Sequence, residues 1–222
     1  MNSTHEKQDI AAFFDFDETL LSIDSAGVGF KVLKEEGYLT KGFMLKMGLV
    51  LFLFKLGLFN DERVARSMLS FYKGHKLQPF IDSAEDFYQD HLKPNLSVPA
   101  VNRLKWHQEQ GHHTVLLTGS IAYYLKPVMR ELEIDHLLCT YLEVSEEGVL
   151  TGRSRGPVCV GDTKVEQAMA LADKLGVDLS KSYAYGNSHL DIPILEQVGH
   201  PVMVTPSKAL HKHGESLQWE TL

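Results

Sequence analysis

Cysteine is scarce in this 222-residue sequence, which contains only Cys139 and Cys159. Both lie inside apolar segments without metal-ligand spacing to a partner, so the sequence favours neither a disulfide framework nor a cysteine metal site. We predict two core thiols. Positive charge is also scarce, since 22 lysines and arginines against 29 acids give a net charge of −7. No basic cluster is long enough to bind nucleic acid, and we expect no nucleic-acid partner.

The sequence shows no pattern typical of a signal peptide or a membrane span either. The first nine residues are polar and mixed in charge, with no signal peptide visible, which leads us to expect a cytoplasmic location. The most apolar stretch, residues 43–59, is interrupted by Lys46 and Lys55, and its uncharged run falls far short of the ~20 residues that a span needs. We predict a buried helix here and no stable membrane insertion. Contact of this stretch with a lipid-like substrate stays open.

The composition itself is that of an ordinary globular protein, with 44% hydrophobic and 23% charged residues. An aromatic-rich apolar run from Ile10 to Leu21 contains two carboxylates one residue apart, Asp15 and Asp17. In an extended chain they project on the same side, about 6 to 7 Å apart at ~3.3 Å per residue. Two such acids repel each other without a cation. By itself, the pattern favours a strand that ends in an acidic turn.

The next region, residues 22–95, differs from the rest of the chain. Its apolar residues recur at helical spacing, which predicts helices at 33–38, 43–59, 62–72 and 81–91. From Pro99 onward, short apolar strands alternate with helices, as is typical of a parallel sheet covered on both faces. We therefore predict an α/β fold with a Rossmann-like parallel sheet. Residues 1–21 and 96–222 form its core domain, and residues 22–95 form a helical cap inserted after the first strand.

The elements of the core are predicted from apolar runs, turn residues and helical periodicity. The predicted helices are 101–111, 122–132, 162–175 and 192–198, and the predicted strands are 113–120, 137–144, 149–152, 183–186 and 201–204.

Four motifs follow one another at strand ends and helix starts, where the sites of α/β proteins lie. They are Asp15-Phe16-Asp17-Glu18-Thr19, Leu116-Leu117-Thr118-Gly119-Ser120, Gly161-Asp162-Thr163-Lys164, and residues 184–195 with Asn187 and Asp191.

On these motifs the sequence resembles the haloacid dehalogenase superfamily, and within it the phosphoserine-phosphatase-like subfamily IB. The long gap between the first two motifs matches the helical cap of that family. The resemblance implies a Mg²⁺-dependent phosphomonoester hydrolase that acts through an aspartyl phosphate on a small phosphorylated metabolite. An amine-bearing substrate such as phosphoserine is one option.

The two acids of the first motif fit phosphoryl transfer. Because phosphomonoesters are anionic, a carboxylate that attacks them needs cations and positioned donors nearby. We assign Asp15 as the nucleophile that forms the aspartyl phosphate, and Asp17 as the acid that protonates the leaving alkoxide and then activates water. Glu18 is expected on the surface, and Thr19 is a candidate cap of the turn.

Three further residues are candidates for binding phosphate. Thr118 offers a hydroxyl, and Gly119 lets backbone amides approach an oxyanion at the end of a strand. Lys164 supplies a compact positive charge that can neutralise Asp15 or the phosphate. The resemblance implies that all three lie at the phosphoryl group.

The fourth motif departs from the family, because Asn187 stands where an aspartate that binds Mg²⁺ is usual. An amide oxygen can still coordinate Mg²⁺, but one negative charge is lost. The resemblance implies a site made by Asp15, the backbone carbonyl of Asp17, Asn187 and Asp191. We expect it to bind Mg²⁺ more weakly than an aspartate version.

Asp24, His189 and four arginines are candidates for contacting the substrate. Asp24 follows Asp15 by nine residues, where similar phosphoserine phosphatases place an acid that faces the substrate amine, but a helix N-cap explains it equally well. His189 is a candidate contact within the fourth motif, and solvent exposure explains it equally well. Four arginines are candidates for gripping a second anionic group: Arg63, Arg66, Arg153 and Arg155.

Three alternatives to the hydrolase stay open. A phosphotransferase would use the same aspartyl phosphate with an acceptor other than water. A catalytically weak binding protein is suggested by Asn187, and a lipid-phosphate enzyme at a membrane surface by residues 43–59. The sequence does not indicate the oligomeric state.

Overall fold

A computed structural model describes residues 7–222. The chain starts with one strand and continues through a helical region: β1 (Ala11–Phe14), α1 (Ser25–Glu35), α2 (Lys41–Lys55), α3 (Asp61–Leu69), α4 (Gln78–Asp82) and α5 (Ala84–Phe87). Helices and strands then alternate: α6 (Val98–Glu109), β2 (His113–Ile121), α7 (Ala122–Glu131), β3 (His136–Thr140), β4 (Leu142–Val144), β5 (Leu150–Ser154), α8 (Asp162–Leu175), β6 (Tyr183–Gly186), α9 (Ile192–Leu195), β7 (His200–Met203), α10 (Lys208–Ser216) and β8 (Glu220–Thr221).

Six strands form one sheet in the order β3-β2-β1-β6-β7-β8, and all neighbouring pairs are parallel. β1 lies inside the sheet, with Phe13 opposite Val115 of β2 and Ala184 of β6. The strand order therefore reverses at β1, and such a switch point is where open α/β sheets bind ligands, outside the carboxyl ends of the strands. The predicted parallel α/β fold is confirmed.

Alternation along the strands divides the core into two layers. Phe14 belongs to the layer covered by α6 and α7, where Leu104 and Leu125 are fully buried. Phe13 points to the opposite layer, together with Ala168 of α8. Successive side chains of a strand face opposite sides, so this one short strand supports both layers of the core.

The insert between β1 and α6 holds α1 to α5, and we call its predicted range, residues 22–95, the cap. Leu21 and Leu96 form an antiparallel bridge where the chain leaves and re-enters the core. An aromatic cluster of Phe71, Tyr72 and Phe80 packs on Leu150 of β5. The cap is thus joined to the core by its two chain crossings and by packing on the small β4–β5 hairpin. Ala84 and Tyr88 are also buried in the core layer covered by α6 and α7.

The predicted and observed elements differ in several places, and α10 and β8 were not predicted. α1 begins at Ser25 rather than at residue 33, because the Asp24 side chain accepts hydrogen bonds from the amides of Ala26 and Gly27 and caps the helix. The predicted helix 81–91 is divided into α4, α5 and the helical turn Tyr88–Leu92. The predicted strand 137–144 is two strands, since β4 leaves the main sheet to pair with β5.

The prediction that residues 43–59 form a buried helix is wrong. Val50 is the only buried residue of α2, whereas Leu45 is 78% and Leu49 58% exposed. A helix that is apolar on all sides has no polar stripe to mark the face that meets solvent. The periodicity of the sequence therefore did not show that one face of this helix is exposed. Within residues 7–222, no helix is long and apolar enough to cross a membrane.

Both cysteines are buried free thiols, as predicted. Cys139 lies in β3, and Cys159 lies between β5 and α8. Burial raises the pKa of each thiol to about 12. Neither is a thiolate at neutral pH, which fits a purely structural role.

Candidate active site

A cavity of about 550 Å³ opens at the carboxyl ends of β1, β2 and β6, between the sheet and the cap. Residues of all four sequence motifs line its core side. Helices α1, α3 and α5 supply most of an apolar opposite wall, with Phe30, Leu33, Ala65, Met68, Leu69 and Phe87. The fold therefore joins the motifs in one concave site, as their positions at strand ends predicted.

Asp15 lies one residue beyond the end of β1, so the strand is shorter than predicted. Its backbone is extended, and its amide donates to the carbonyl oxygen of Tyr185 at 2.9 Å, which continues the pairing with β6. Asp15 Oδ1 accepts a hydrogen bond from Lys164 Nζ at 2.6 Å, and only 11% of the side chain is exposed. Burial raises the pKa of Asp15 to about 7, against the opposing charge of Lys164. The carboxyl is rigidly placed and close to its ionisation point at neutral pH.

Lys164 lies in the first turn of α8 and joins two carboxylates. Its Nζ is 2.6 Å from both Asp15 Oδ1 and Asp191 Oδ1. Burial disfavours the ammonium, but Asp15 and Asp191 together outweigh it and raise the pKa of Lys164. The lysine is therefore permanently charged, and it lies where the sequence motif predicted a cation.

Asp191 serves as the second partner of this lysine. Its Oδ2 accepts hydrogen bonds from the amides of Asn187 and Ser188 and from Ser188 Oγ. A Cβ at Gly186 would lie 2.5 Å from Asp191 Cβ, so only glycine permits this close approach. Both oxygens of Asp191 are thus engaged within the protein.

Asp17 lies in the tight turn Phe16–Leu20, where Glu18 adopts a left-handed conformation with φ 55°. The turn directs the two Asp17 oxygens to two donors: Oδ1 accepts from the Ser25 amide at 2.6 Å, and Oδ2 from Ser120 Oγ at 2.7 Å. Burial raises the pKa of Asp17 in spite of these hydrogen bonds. The second acid is thus held beside the cavity in an environment that favours its protonated form.

Sequence reasoning missed the residues that hold Asp17. Ser25 Oγ lies 3.2 Å from Tyr124 Oη and 3.4 Å from Ser120 Oγ, which makes a small hydroxyl cluster behind the acid. Ser120 belongs to the second motif, which is a signal that could have identified it. Ser25 and Tyr124 carry no local signal, because their role depends on a contact between residues 99 positions apart in the sequence.

Thr118 and Gly119 lie at the end of the second motif, both on the cavity wall. Thr118 Oγ1 accepts a hydrogen bond from the Ser120 amide at 3.0 Å, so its own proton is available to a ligand. A Cβ at Gly119 would lie 3.0 Å from Val160 Cγ1, which leaves little room for a side chain. Both residues line the same cavity as Asp15.

Asn187 and Glu18 contact each other across the cavity floor. Asn187 Nδ2 donates to Glu18 Oε2 at 3.0 Å, which leaves Asn187 Oδ1 without a hydrogen bond within residues 7–222. Glu18, expected on the surface, is exposed but also borders the cavity. Thr19 does not cap the turn as predicted, since it is fully buried and its Oγ1 has no hydrogen-bond partner among the described residues.

The candidate substrate contacts divide into two groups. Asp24 borders the cavity, but both of its oxygens also cap α1, at 3.0 Å and 3.1 Å from the Ala26 and Gly27 amides. His189 is exposed and is not part of the cavity wall; its Nε2 lies 3.3 Å from Asp61 Oδ2 of the cap. The four candidate arginines, Arg63, Arg66, Arg153 and Arg155, all lie outside the described cavity wall.

Comparison with known proteins decides the family. Residues 12–196 match the haloacid dehalogenase-like hydrolases. The chain belongs to this family.

Three relatives match over nearly the whole chain. The sequence is 28% identical over 221 residues to the inhibition of morphological differentiation protein of Streptomyces azureus, covering 98% of this chain and 79% of that protein. It is 28% identical over 214 residues to a phosphoserine phosphatase of Mycobacterium tuberculosis, covering 95% and 69%. A histidinol-phosphatase of Neisseria meningitidis is 22% identical over 215 residues, covering 95% and 97%.

Solved structures of other proteins have a similar fold. A protein of unknown function from Bordetella pertussis has a TM-score of 0.85 and 26% identity, covering 96% of this chain and 98% of the other. A substrate-bound phosphoserine phosphatase has a TM-score of 0.69 and 19% identity, covering 93% and 91%. The predicted resemblance to phosphoserine-phosphatase-like members of the family is confirmed, and so is the prediction that the chain is an enzyme of the hydrolase class.

The family resemblance implies Mg²⁺, and the oxygen donors at the cavity are suited to it. No cluster of three His, Cys, Asp or Glu side chains in residues 7–222 has the arrangement of a metal site. The cavity does present the Asp15 carboxylate and the unbonded Oδ1 of Asn187, which are hard oxygen donors of the kind Mg²⁺ prefers. The raised pKa of Asp15 also shows that Lys164 alone does not compensate for burial of this carboxylate. These residues fit a Mg²⁺ ion.

Proposed function

We propose that this hydrolase removes phosphate from phosphomonoesters through phosphorylation of Asp15, with Mg²⁺ as cofactor. One observation supports this most directly. The Asp15 carboxylate is buried at the end of β1, fixed by Lys164 at 2.6 Å, and borders the same cavity as Asp17, which two further hydrogen bonds hold in place. A nucleophile and a proton donor with different environments are what a two-step displacement requires.

In the first step, an Asp15 oxygen bonds to phosphorus while the bond from phosphorus to the ester oxygen breaks. Protonated Asp17 donates its proton to the departing alkoxide. Burial raises the pKa of Asp17 and so favours the form that this step needs. The Ser25 amide and the Ser120 hydroxyl fix the orientation of the carboxyl throughout.

In the second step, Asp17 is a carboxylate and takes a proton from water. The water oxygen bonds to phosphorus, the acyl phosphate bond breaks, and Asp15 is restored with release of inorganic phosphate. Lys164, the Thr118 hydroxyl and the backbone at Gly119 offset the negative charge of the phosphoryl oxygens. Asp15, the Asp17 carbonyl and Asn187 Oδ1 would hold Mg²⁺, which, when bound, supplies further positive charge at the phosphoryl group.

The cavity wall supports an amine-bearing substrate. Four acids line its cap side: Asp24, Glu36, Asp86 and Asp90. No arginine lines the described wall. Arg66 instead pairs with Glu62 at 2.7 Å, and Arg153 pairs with Glu143 at 3.0 Å. A substrate carboxylate would therefore meet acids without a guanidinium, whereas a substrate ammonium would be stabilised.

Two relatives named above also act, by their names, on phosphate esters that carry an amine, phosphoserine and histidinol phosphate. We propose a phosphorylated amine without a carboxylate as the preferred substrate class.

The decisive experiment is a Mg²⁺-dependent assay with phosphoethanolamine, phosphoserine and glycerol phosphate. We expect phosphoethanolamine to have the highest kcat/KM, and Asp15→Asn to lose at least about 10³-fold in kcat because the nucleophile is gone. Equal turnover by wild type and Asp15→Asn would contradict the mechanism.

The acidic wall has its own test. The double variant Asp86→Asn/Asp90→Asn should lose preference for phosphoethanolamine over glycerol phosphate, while Asp82→Asn, in the same cap but outside the described wall, should keep it. A wild-type preference for phosphoserine would contradict the proposed substrate class and leave the phosphatase mechanism intact.

A further inference from the structure

The longest helix of the cap is apolar on two opposite faces. One face packs inward through Phe43, Met47 and Val50. The Phe43 ring stacks with Phe30 at 6.0 Å and meets Phe71 edge-on at 5.6 Å. The opposite face carries Leu45, Leu49, Phe52 and Leu56, which are 78%, 58%, 57% and 57% exposed. We call these four residues the α2 face.

The spacing of the α2 face makes it continuous. Positions 45, 49, 52 and 56 follow the i, i+4, i+7, i+11 pattern of one helical stripe, at the place where a surface helix normally carries polar residues. Met44 and Leu51, 45% and 47% exposed, extend it on one side. A contiguous apolar patch of this kind marks an interaction surface.

The charge of this segment differs from that of the whole chain. Residues 37–60 contain Lys41, Lys46 and Lys55 and no Asp or Glu, although the chain has a net charge of −7. Lys41 and Lys55 lie at the two ends of α2, next to the apolar stripe, and Lys46 is exposed with its Nζ on Ser70 Oγ at 2.7 Å. Long lysine side chains beside an apolar face can reach the level of anionic lipid headgroups while their stems stay on the apolar side.

The same charges disfavour a second copy of the chain as the partner. A two-fold interface places the same patch of both copies against each other, so lysines at the ends of one α2 would meet lysines at the ends of the other. An anionic lipid surface presents the opposite charge along the whole helix. With 15 residues, α2 is about 22 Å long and suits a position in the plane of the interface rather than across the bilayer.

We propose that the α2 face docks this protein on anionic lipid surfaces, with the helix lying flat among the headgroups. This proposal is independent of the catalytic mechanism, since none of the four face residues lines the cavity. The inner face of α2 contacts Phe30, which lines the cavity. Docking therefore brings the active site close to the lipid surface without burying it.

The test uses the full chain and vesicles of phosphatidylcholine alone or with phosphatidylglycerol, separated by flotation. We expect binding to the anionic vesicles to be at least tenfold stronger than to neutral ones and to weaken with salt. Leu49→Glu/Phe52→Glu should abolish binding, and Lys41→Glu/Lys55→Glu should remove the preference for anionic lipid. Met169→Glu, at a 46% exposed methionine of α8, is the matched control and should bind as wild type does.

Turnover of a water-soluble phosphomonoester should be unchanged in the Leu49→Glu/Phe52→Glu variant, which shows that it is folded. Equal vesicle binding by wild type and this variant would overturn the proposal. So would absence of binding by folded wild type to anionic vesicles. Concentration-dependent dimerisation in light scattering that the variant abolishes, without vesicle binding, would assign the α2 face to a second copy instead.

Discussion

At the sheet edge of the core, nearly every charged group of the site has a defined partner, whereas in the cap the longest helix leaves its apolar side chains in solvent. Lys164 has 5% of its side chain exposed and contacts two carboxylates at 2.6 Å. Leu45 of α2 has 78% of its surface exposed and belongs to the same chain. The two regions meet at one cavity, but different physical terms determine their structures.

The difference has a functional meaning. The core holds the reacting groups on strand ends and a helix start, where the backbone itself fixes their separation. The cap supplies the apolar and acidic walls, and it contributes one donor, the Ser25 amide, to the acid Asp17. We expect substitutions at the sheet edge to change the chemistry and the stability together, and those in the cap to change specificity or surface binding.

The largest effect is expected from Lys164→Met, compared with Lys46→Met in the cap. Removing Lys164 leaves Asp15 and Asp191 buried without a cation, which should lower the free energy of unfolding by about 3–5 kcal/mol and abolish turnover. Lys46 donates to Ser70 at an exposed site, and its loss should change stability by less than about 0.5 kcal/mol. Urea unfolding at pH 7.5 measures the free energy of unfolding of both variants. Equal losses of stability would contradict the difference between the two regions.

The next effect concerns metal affinity and separates Asn187 from its neighbour Glu18. Asn187→Asp adds a charged ligand but places it against Glu18 Oε2, which now accepts the amide proton at 3.0 Å. In the double variant Asn187→Asp/Glu18→Gln, the amide of residue 18 becomes the hydrogen-bond donor to the carboxylate of residue 187. We expect the double variant to need up to about tenfold less Mg²⁺ for half-maximal activity, equivalent to about 1.4 kcal/mol, and the single variant to gain less.

Mg²⁺ titrations of the wild type and both variants test this directly. An unchanged Mg²⁺ requirement in all three proteins would remove Asn187 from the metal site.

A smaller effect is expected in the pH profile. Attack needs the Asp15 carboxylate, and its pKa is raised to about 7, so kcat/KM should fall as the pH drops through that value. A nearby cation favours the charged form, so the acidic limb should move to lower pH as Mg²⁺ increases. Profiles at two Mg²⁺ concentrations measure the shift. A limb that keeps its position would show that another group controls it.

The Asp15 carboxyl also makes the stability of the folded protein depend on pH. Folding raises the pKa of Asp15 from 3.8 to about 7, so the folded chain binds more protons than the unfolded chain between these values. Stability from this group therefore falls as the pH rises through that window. Without Mg²⁺ at about pH 8, Asp15→Asn should unfold at a higher temperature than wild type, and a lower temperature would contradict the pKa assignment.

The smallest effect comes from an exception within the core. Thr19 is fully buried, and its Oγ1 lacks a partner among residues 7–222. Thr19→Val should stabilise the protein by about 1 kcal/mol, or about 2–4 °C in Tm, because it removes an unpaired polar group. Thr114→Val is the control and should destabilise, since Thr114 Oγ1 donates to Asp135 Oδ2 at 2.9 Å. Calorimetry of both variants gives the signs.

Much of the core could be predicted from sequence because its signals are local. Apolar runs located five of the six strands of the parallel sheet, all but β8. The motifs at strand ends and helix starts named Asp15, Thr118 and Lys164, which the structure brings to one cavity. The contact between Lys164 and Asp15 spans 149 residues and follows from strand order, which no local pattern contains. The sequence predicted this contact only because four motifs together resemble one family.

The cap was predicted less well for identifiable reasons. Gly27 and Gly29 weaken the helical signal at the start of α1, so the helix was placed too late. The apolar composition of α2 identified a helix but not which of its faces the protein covers. Ser25 reaches Asp17 only because the turn at Glu18 reverses the chain in a left-handed conformation.

The position of Ser25 sets a rule for cap exchange between related enzymes. It is the first residue of α1, and its amide holds the core acid Asp17 at 2.6 Å. A chimera joined at residue 22 would import a foreign first turn together with the new substrate walls. A junction placed after Ser25 keeps this amide with its own core, so that specificity can be exchanged as a module while the proton donor stays aligned.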